Sequence, residues 1–199
     1  MYKAQAMQNN CRLLYDLDQH QKGKKVFITE QAIEKVKLVI PSGYTMEEAE
    51  KIQEMNKSIL RYSMDCNYSN EVAMILDGKG IVTGPVFGDQ HSVNIEGDSD
   101  MYHLLRTSPM RSLVISHNHP GLSYFSYDDL GIFVQYPSIK IMMVVTNRGR
   151  VFCLLKKETW NDAEALNLYK QAGHMRWKSE PDAIASFLKN TYNAIERSR

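Results

Sequence analysis

Two histidines one residue apart, His117 and His119, close the apolar run Leu113-Val114-Ile115, and the carboxylate of Asp129 follows shortly after a Pro-Gly turn. Side chains alternate across a β-strand, so a His-x-His at a strand end aims both imidazoles at one point. Pro120 and Gly121 stop such a strand and turn the chain. Ser126 and Asp129, ahead of Leu130, Ile132 and Phe133, read as a capping box with Asp in the place of Glu or Gln. That sets the Asp129 carboxylate in a first helical turn, facing back towards the strand end. Two imidazoles and one carboxylate leave the fourth tetrahedral position of Zn²⁺ open, the pattern of catalytic zinc. Zinc so held lowers the pKa of its water to about 7 and polarises a carbonyl, which suits amide hydrolysis at neutral pH.

A hydrolase of this kind needs a general base that is not itself a ligand, to carry a proton from water to the leaving amine. Glu71 is the first candidate. It opens the buried-strand pattern Glu71-Val72-Ala73-Met74-Ile75-Leu76, and a charge leading a buried strand needs a reason. Glu96, in the loop Glu96-Gly97-Asp98 before a helix, is the alternative. A lone His-x-His would read as two hydrogen-bonded histidines, and Ser126 alone as a helix cap. It is the combination that carries the chemistry. His20, His91, His103 and His174 have no ligand spacing and read as surface or structural. Asp128 reads as a solvated first-turn acid favoured by the helix dipole, and is the fallback should Asp129 not be the ligand.

Taken together, Glu71, His117-x-His119-Pro120 and Ser126-x-x-Asp129 resemble the JAMM (MPN+, or JAB) metalloprotease family, and the His-Asn-His-Pro form is most similar to its bacterial RadC-like members. The resemblance spans about Asn70 to Lys157. It implies a mixed sheet flanked by helices, with cytidine-deaminase-like layering. It further implies one Zn²⁺ held by His117, His119 and Asp129, with Glu71 as acid/base and Ser126 stabilising the oxyanion. The implied substrate is a protein or peptide, such as a ubiquitin-like tail. In the family pattern seven residues separate the second His from the Ser; here there are six, Pro120 to Phe125. Two further functions follow from the same resemblance: a RadC-like accessory protein of DNA repair or mobile elements that binds nucleic acid, and an inactive MPN scaffold.

Composition bounds these readings. The 199 residues are 43% hydrophobic and 24% charged, ordinary for a soluble globular chain. A formal net charge of +1 provides no global field towards DNA or membrane. No apolar stretch approaches the length of a membrane span, and Met1–Asn10 is polar, without a signal-peptide core. Cys11, Cys66 and Cys153 are odd in number and scattered, which points to reduced thiols in a cytoplasmic protein.

The elements that must position these residues fall into three parts: a helical extension over residues 1–65, a catalytic region over 66–158, and helices over 159–199 that pack on it. Helices are expected at Gln8–Gln19, from Thr29 through Ile40, and from Thr45, where Glu48 completes a capping box. Gln21–Lys25 is a basic break that reads as a solvated loop. Strands are expected at Val72–Leu76, Ile81–Val86, Ser92–Ile95 and Ser112–His117. The pair Ile139–Thr146 and Val151–Leu155 should form a hairpin around Asn147-Arg148-Gly149-Arg150. Further helices are expected from Asp98 or Ser99 to Arg106, around Asp129 to Gln135, and at Asn161–Ala172 and Pro181–Arg197, with a break at Gly173. Tyr124 and Phe125 are expected either to line the groove or to pack beside it. With short connections that leave little space for the extra segments some members of that family carry, the resemblance implies a compact groove taking an extended peptide or flexible tail, which could add along a sheet edge.

Overall fold

The computed structural model describes residues 25–177 and 179–198. The helix expected at Gln8–Gln19, with Cys11 and His20, lies outside the described residues. Within them a six-stranded sheet has the order β2-β1-β3-β4-β5-β6. The strands are β1 Val72–Leu76, β2 Val82–Phe87, β3 Leu113–His119, β4 Ile139–Thr146, β5 Val151–Lys156 and β6 Ile195–Ser198. The helices are α1 Glu30–Glu34, α2 Met46–Cys66, α3 Ser99–Thr107, α4 Tyr127–Gln135, α5 Asp162–Arg176 and α6 Glu180–Asn190. β3 and β4 run parallel, joined by a crossover through α4, and every other neighbouring pair is antiparallel. The chain is therefore a mixed α/β sheet flanked by helices.

Alternation along the strands builds two cores. Val72, Met74 and Leu76 of β1 face Ile52, Met55, Ile59 and Leu60 of α2. Ala73 and Ile75 face the opposite side, with Met101 and Leu105 of α3, Phe133 of α4, and Phe187 of α6. Each such Ile, Leu or Phe stabilises the fold by roughly 1.5–3 kcal/mol. β3 and β4, in the centre of the sheet, are covered on both faces and are almost wholly buried, as the apolar runs of their sequences require. α2 opens with the expected capping box, in which Glu48 N–H donates to Thr45 Oγ1 and Glu48 accepts from Thr45 N–H.

Four expectations differ from the structure. Ser92–Ile95 is not a strand. Asp89 Oδ1 accepts from His91 N–H and Ser92 N–H, curling the chain, and Gly88 lies so close to Ser92 that a Cβ there would be 2.1 Å from its carbonyl oxygen. A 3₁₀ turn, Ile95–Gly97, follows. The helix begun at Thr29 stops at Glu34 rather than reaching Ile40: Val36 O accepts from Gln53 Nε2 of α2 at 2.8 Å, which diverts the chain. Gly173 does not break a helix, because α5 continues through it to Arg176. Its missing Cβ instead admits the Tyr127 hydroxyl, 2.8 Å from where that Cβ would stand. Finally, the last helix ends at Asn190, capped by Thr191 N–H to Phe187 O, and Ile195–Ser198 pairs with β5 as an edge strand.

Tyr124 and Phe125 take the second of their two expected places. Phe125 is buried, and Tyr124 stacks edge-on against both Phe125 and Phe152.

Candidate metal centre

Register places the histidines. Ala73 pairs with His117 across the antiparallel β1–β3 ladder, so the two share a face, and His119 lies on the same face two residues on. Glu71 immediately precedes β1 and lines the same cleft as His119. The alternate side chains, Ser116 and Asn118, point to the α2 side, where Ser116 Oγ donates to Asn56 Oδ1 at 2.6 Å and Asn118 Nδ2 donates to Ser63 Oγ at 3.1 Å.

The third member arrives from α4. Ser126 Oγ accepts from Asp129 N–H at 3.0 Å, while Asp129 Oδ2 accepts from Ser126 N–H at 2.6 Å. This is the reciprocal capping box read from sequence, with Asp filling the role of Glu. The same carboxylate turns its oxygens to the histidines: Oδ1 lies 3.1 Å from His117 Nε2 and Oδ2 lies 3.4 Å from His119 Nε2. The two Nε2 atoms are 2.9 Å apart. The ligand atoms of His117, His119 and Asp129 all lie within 4.8 Å of one another, and among the described residues no other group of three metal-ligating side chains does so. The six-residue connection, Pro120 to Phe125, thus brings Asp129 to the histidines. Asp128 does not join them; it is exposed and paired with Arg176 at 2.7 Å.

The electrostatics follow from burial. Burial pushes the Asp129 carboxyl up, but the charge of His117 and the hydrogen bonds from both histidines hold it well below the usual carboxylate range. Burial pushes His119 down, and the hydrogen bond and charge of Asp129, with the charge of Glu71, reverse that to about 9. The pocket thus holds a buried anion that favours positive charge on His119. A divalent cation satisfies the same need with a better-matched donor set, two nitrogens and one carboxylate. These three side chains could therefore hold a divalent metal ion.

Glu71 is 6% exposed. Burial raises its carboxyl pKa above the ordinary value; the His119 and His117 charges pull it down, and the Asp129 and Asp89 charges push it up. Glu71 lines the same cleft as His117, His119 and Asp129. Glu96 differs: it is exposed, and its Oε1 accepts from the Tyr136 hydroxyl and from Gln135 Nε2 at 3.0 Å. Both carboxylates line one cleft of about 710 Å³ whose floor carries His117, His119, Ser126 and Asp129.

Two supporting residues escaped the sequence reading. Ser123, inside the short connection, sets its Oγ 3.1 Å and its carbonyl oxygen 3.4 Å from His119 Nδ1. With its ring proton on Nδ1, donated to Ser123, the imidazole presents the Nε2 lone pair to the shared point. A serine beside a Pro-Gly turn reads as ordinary loop chemistry, so nothing local marks it. Asn118 is the second, and its partners lie far off in sequence. Comparison of the chain with family models, with curated proteins and with solved structures returns no match.

Proposed function

We propose that this chain is a zinc-dependent metallohydrolase that cleaves a peptide or isopeptide bond. The observation that carries this reading is the convergence of His117 Nε2, His119 Nε2 and the Asp129 carboxylate at the floor of a cleft, next to the buried Glu71. A zinc ion held by those three side chains would supply Lewis acidity and bring the pKa of water near 7. The chain's own residues supply the rest. Glu71, already pushed up by burial, accepts a proton from the attacking water and delivers it to the departing amine. Ser126 uses a lone pair of its hydroxyl to cap α4, so its O–H remains able to donate to the oxygen that gains charge. Asp129 keeps its negative charge because both histidines face it.

The cleft favours an extended segment of protein as substrate. Its walls carry amide and hydroxyl groups, among them Gln90, Ser92, Asn94 and Gln135, suited to a peptide backbone. No helix among the described residues is long and apolar enough to cross a membrane.

The test pairs zinc binding with hydrolysis of a mixture of internally quenched peptides. Glu71→Gln is expected to retain zinc and to lose hydrolysis by about 10²–10⁴-fold. A variant that cleaves as fast as the unmodified chain contradicts the role of Glu71, and a chain that binds no zinc contradicts the whole proposal.

A further inference from the structure

The ladder between β1 and β3 ends at the Ala73–His117 pair. One step further, Val72 and Asn118 would stand opposite each other, yet the Val72 N–H does not go to a β3 carbonyl. It donates to the side chain of Asn118, Oδ1, at 2.7 Å. Asn118 is wholly buried, and its Nδ2 faces three acceptors: Asn147 Oδ1 at 2.8 Å, Asn70 O at 3.0 Å and Ser63 Oγ at 3.1 Å. One amide thus ties β3 to α2, to the β4–β5 turn, and to both residues that flank Glu71 in the chain, Asn70 and Val72. Asn147 extends the network by donating to Ser69 O and Val26 O, each at 2.8 Å.

The geometry is specific to Glu71. Its backbone is held from one side by the residues that follow β2 and by Asn67: Glu71 N–H donates to Asp89 O at 2.9 Å, and Glu71 O accepts from Gly88 N–H at 2.8 Å and from Asn67 Nδ2 at 2.9 Å. From the other side the Asn118 side chain ties this stretch to the histidine strand. Asn118 sits between His117 and His119, so the same residue whose backbone spaces the two imidazoles fixes the main chain on each side of Glu71. An apolar residue here would leave the Val72 N–H and the Asn70 carbonyl without these partners in a buried setting, and a shift of that segment carries Glu71 with it.

We infer that Asn118 is a positioning residue: it sets the distance of Glu71 from the metal-binding histidines and acts on the chemistry only through Glu71. This rests on the metallohydrolase reading, and it adds a residue to that site that touches neither metal nor substrate.

The experiment uses cobalt(II) as the probe, bound to the full-length chain, and reads the pH midpoint of its visible absorption bands. Four forms are compared: unmodified, Glu71→Gln, Asn118→Ser and the double variant. Asn118→Ser is expected to bind cobalt within a few-fold of the unmodified chain and to move the midpoint in the same direction as Glu71→Gln. The double variant is expected to move it no further than Glu71→Gln alone, since a residue acting through Glu71 has nothing left to act on. Shifts that add overturn the inference, as does an unchanged midpoint in Asn118→Ser. An unmodified chain that binds no cobalt refutes the metallohydrolase reading instead. Should Asn118→Ser not fold, amide exchange of the unmodified chain decides. A Val72 N–H protected like the centre of β1 supports the inference, and one that exchanges like a loop overturns it.

Discussion

Ser126 and Asp129 are bonded to each other twice, side chain to backbone in both directions, at 3.0 and 2.6 Å. The carboxylate that closes this helix cap is the same one that faces both histidines. The Asp129 carboxylate therefore belongs both to the α4 cap and to the candidate metal centre, and its two roles can be separated by substitution.

Asp129→Asn keeps a side-chain oxygen to accept the Ser126 N–H but removes the negative charge. The chain is expected to stay folded, with a thermal midpoint near that of the unmodified form, while zinc affinity falls by more than about 100-fold. Ser126→Ala has the reverse signature: a loss of about 1 kcal/mol in stability from the missing cap, with zinc affinity reduced only modestly. Calorimetric titration with zinc alongside urea denaturation separates the two.

The tight β4–β5 turn has a packing requirement of its own. Gly149 has φ +80°, and a Cβ there would lie 2.1 Å from the Ala32 carbonyl oxygen of α1. Because backbone blocks the space, Gly149→Ala is expected to destabilise the chain by roughly 2–4 kcal/mol, combining left-handed strain with overpacking. Urea denaturation would show a lower midpoint at unchanged slope; an unchanged midpoint would mean that α1 does not pack on this turn.

Lys156 is a buried cation away from the cleft. Its Nζ donates to Tyr136 O at 3.0 Å, lies 3.4 Å from Asp162 Oδ1, and sits over the rings of Phe133 and Trp160. Burial lowers its pKa from 10.5 to about 8, against the opposing pull of Asp162. Between those values the unfolded chain binds more protons at this site than the folded one, so the contribution of Lys156 to stability rises with pH from about 8 to about 10. Tyr44 and Tyr136, pushed up to about 12 by burial, act the opposite way above pH 10. His119, raised to about 9, opposes Lys156 inside the window but equally in both forms of the chain. Relative to Lys156→Met, the unmodified chain is expected to gain stability as pH rises through this range. Parallel profiles from the two forms would contradict the assignment.

Much of this arrangement was legible in the sequence wherever the information is local. The alternation around His117 and His119, the Ser126–Asp129 box, the Thr45–Glu48 box, and β1 and β4 with their apolar runs need only neighbours in the chain to be read. Elements set by distant contacts were not legible. Ser92–Ile95 is the exception, misread locally: it alternates like a strand, but Asp89, three residues before Ser92, captures the Ser92 N–H. Gly173 resembles a helix stop, but it is the space that admits Tyr127. Ile195–Ser198 continues a helical pattern and is claimed by the free edge of β5. Asn118 reads as the spacer between two histidines, and its function depends on Ser63, Asn70, Val72 and Asn147, none adjacent to it in the chain.

The most direct measurement is zinc binding by the purified chain, with stoichiometry by calorimetry and ligand identity by X-ray absorption. The expected result is one zinc per chain in a shell of two imidazole nitrogens and light oxygen donors, lost in His117→Ala and His119→Ala. No bound zinc, or zinc retained at full affinity in both histidine variants, would contradict the metal centre on which the proposed hydrolysis depends.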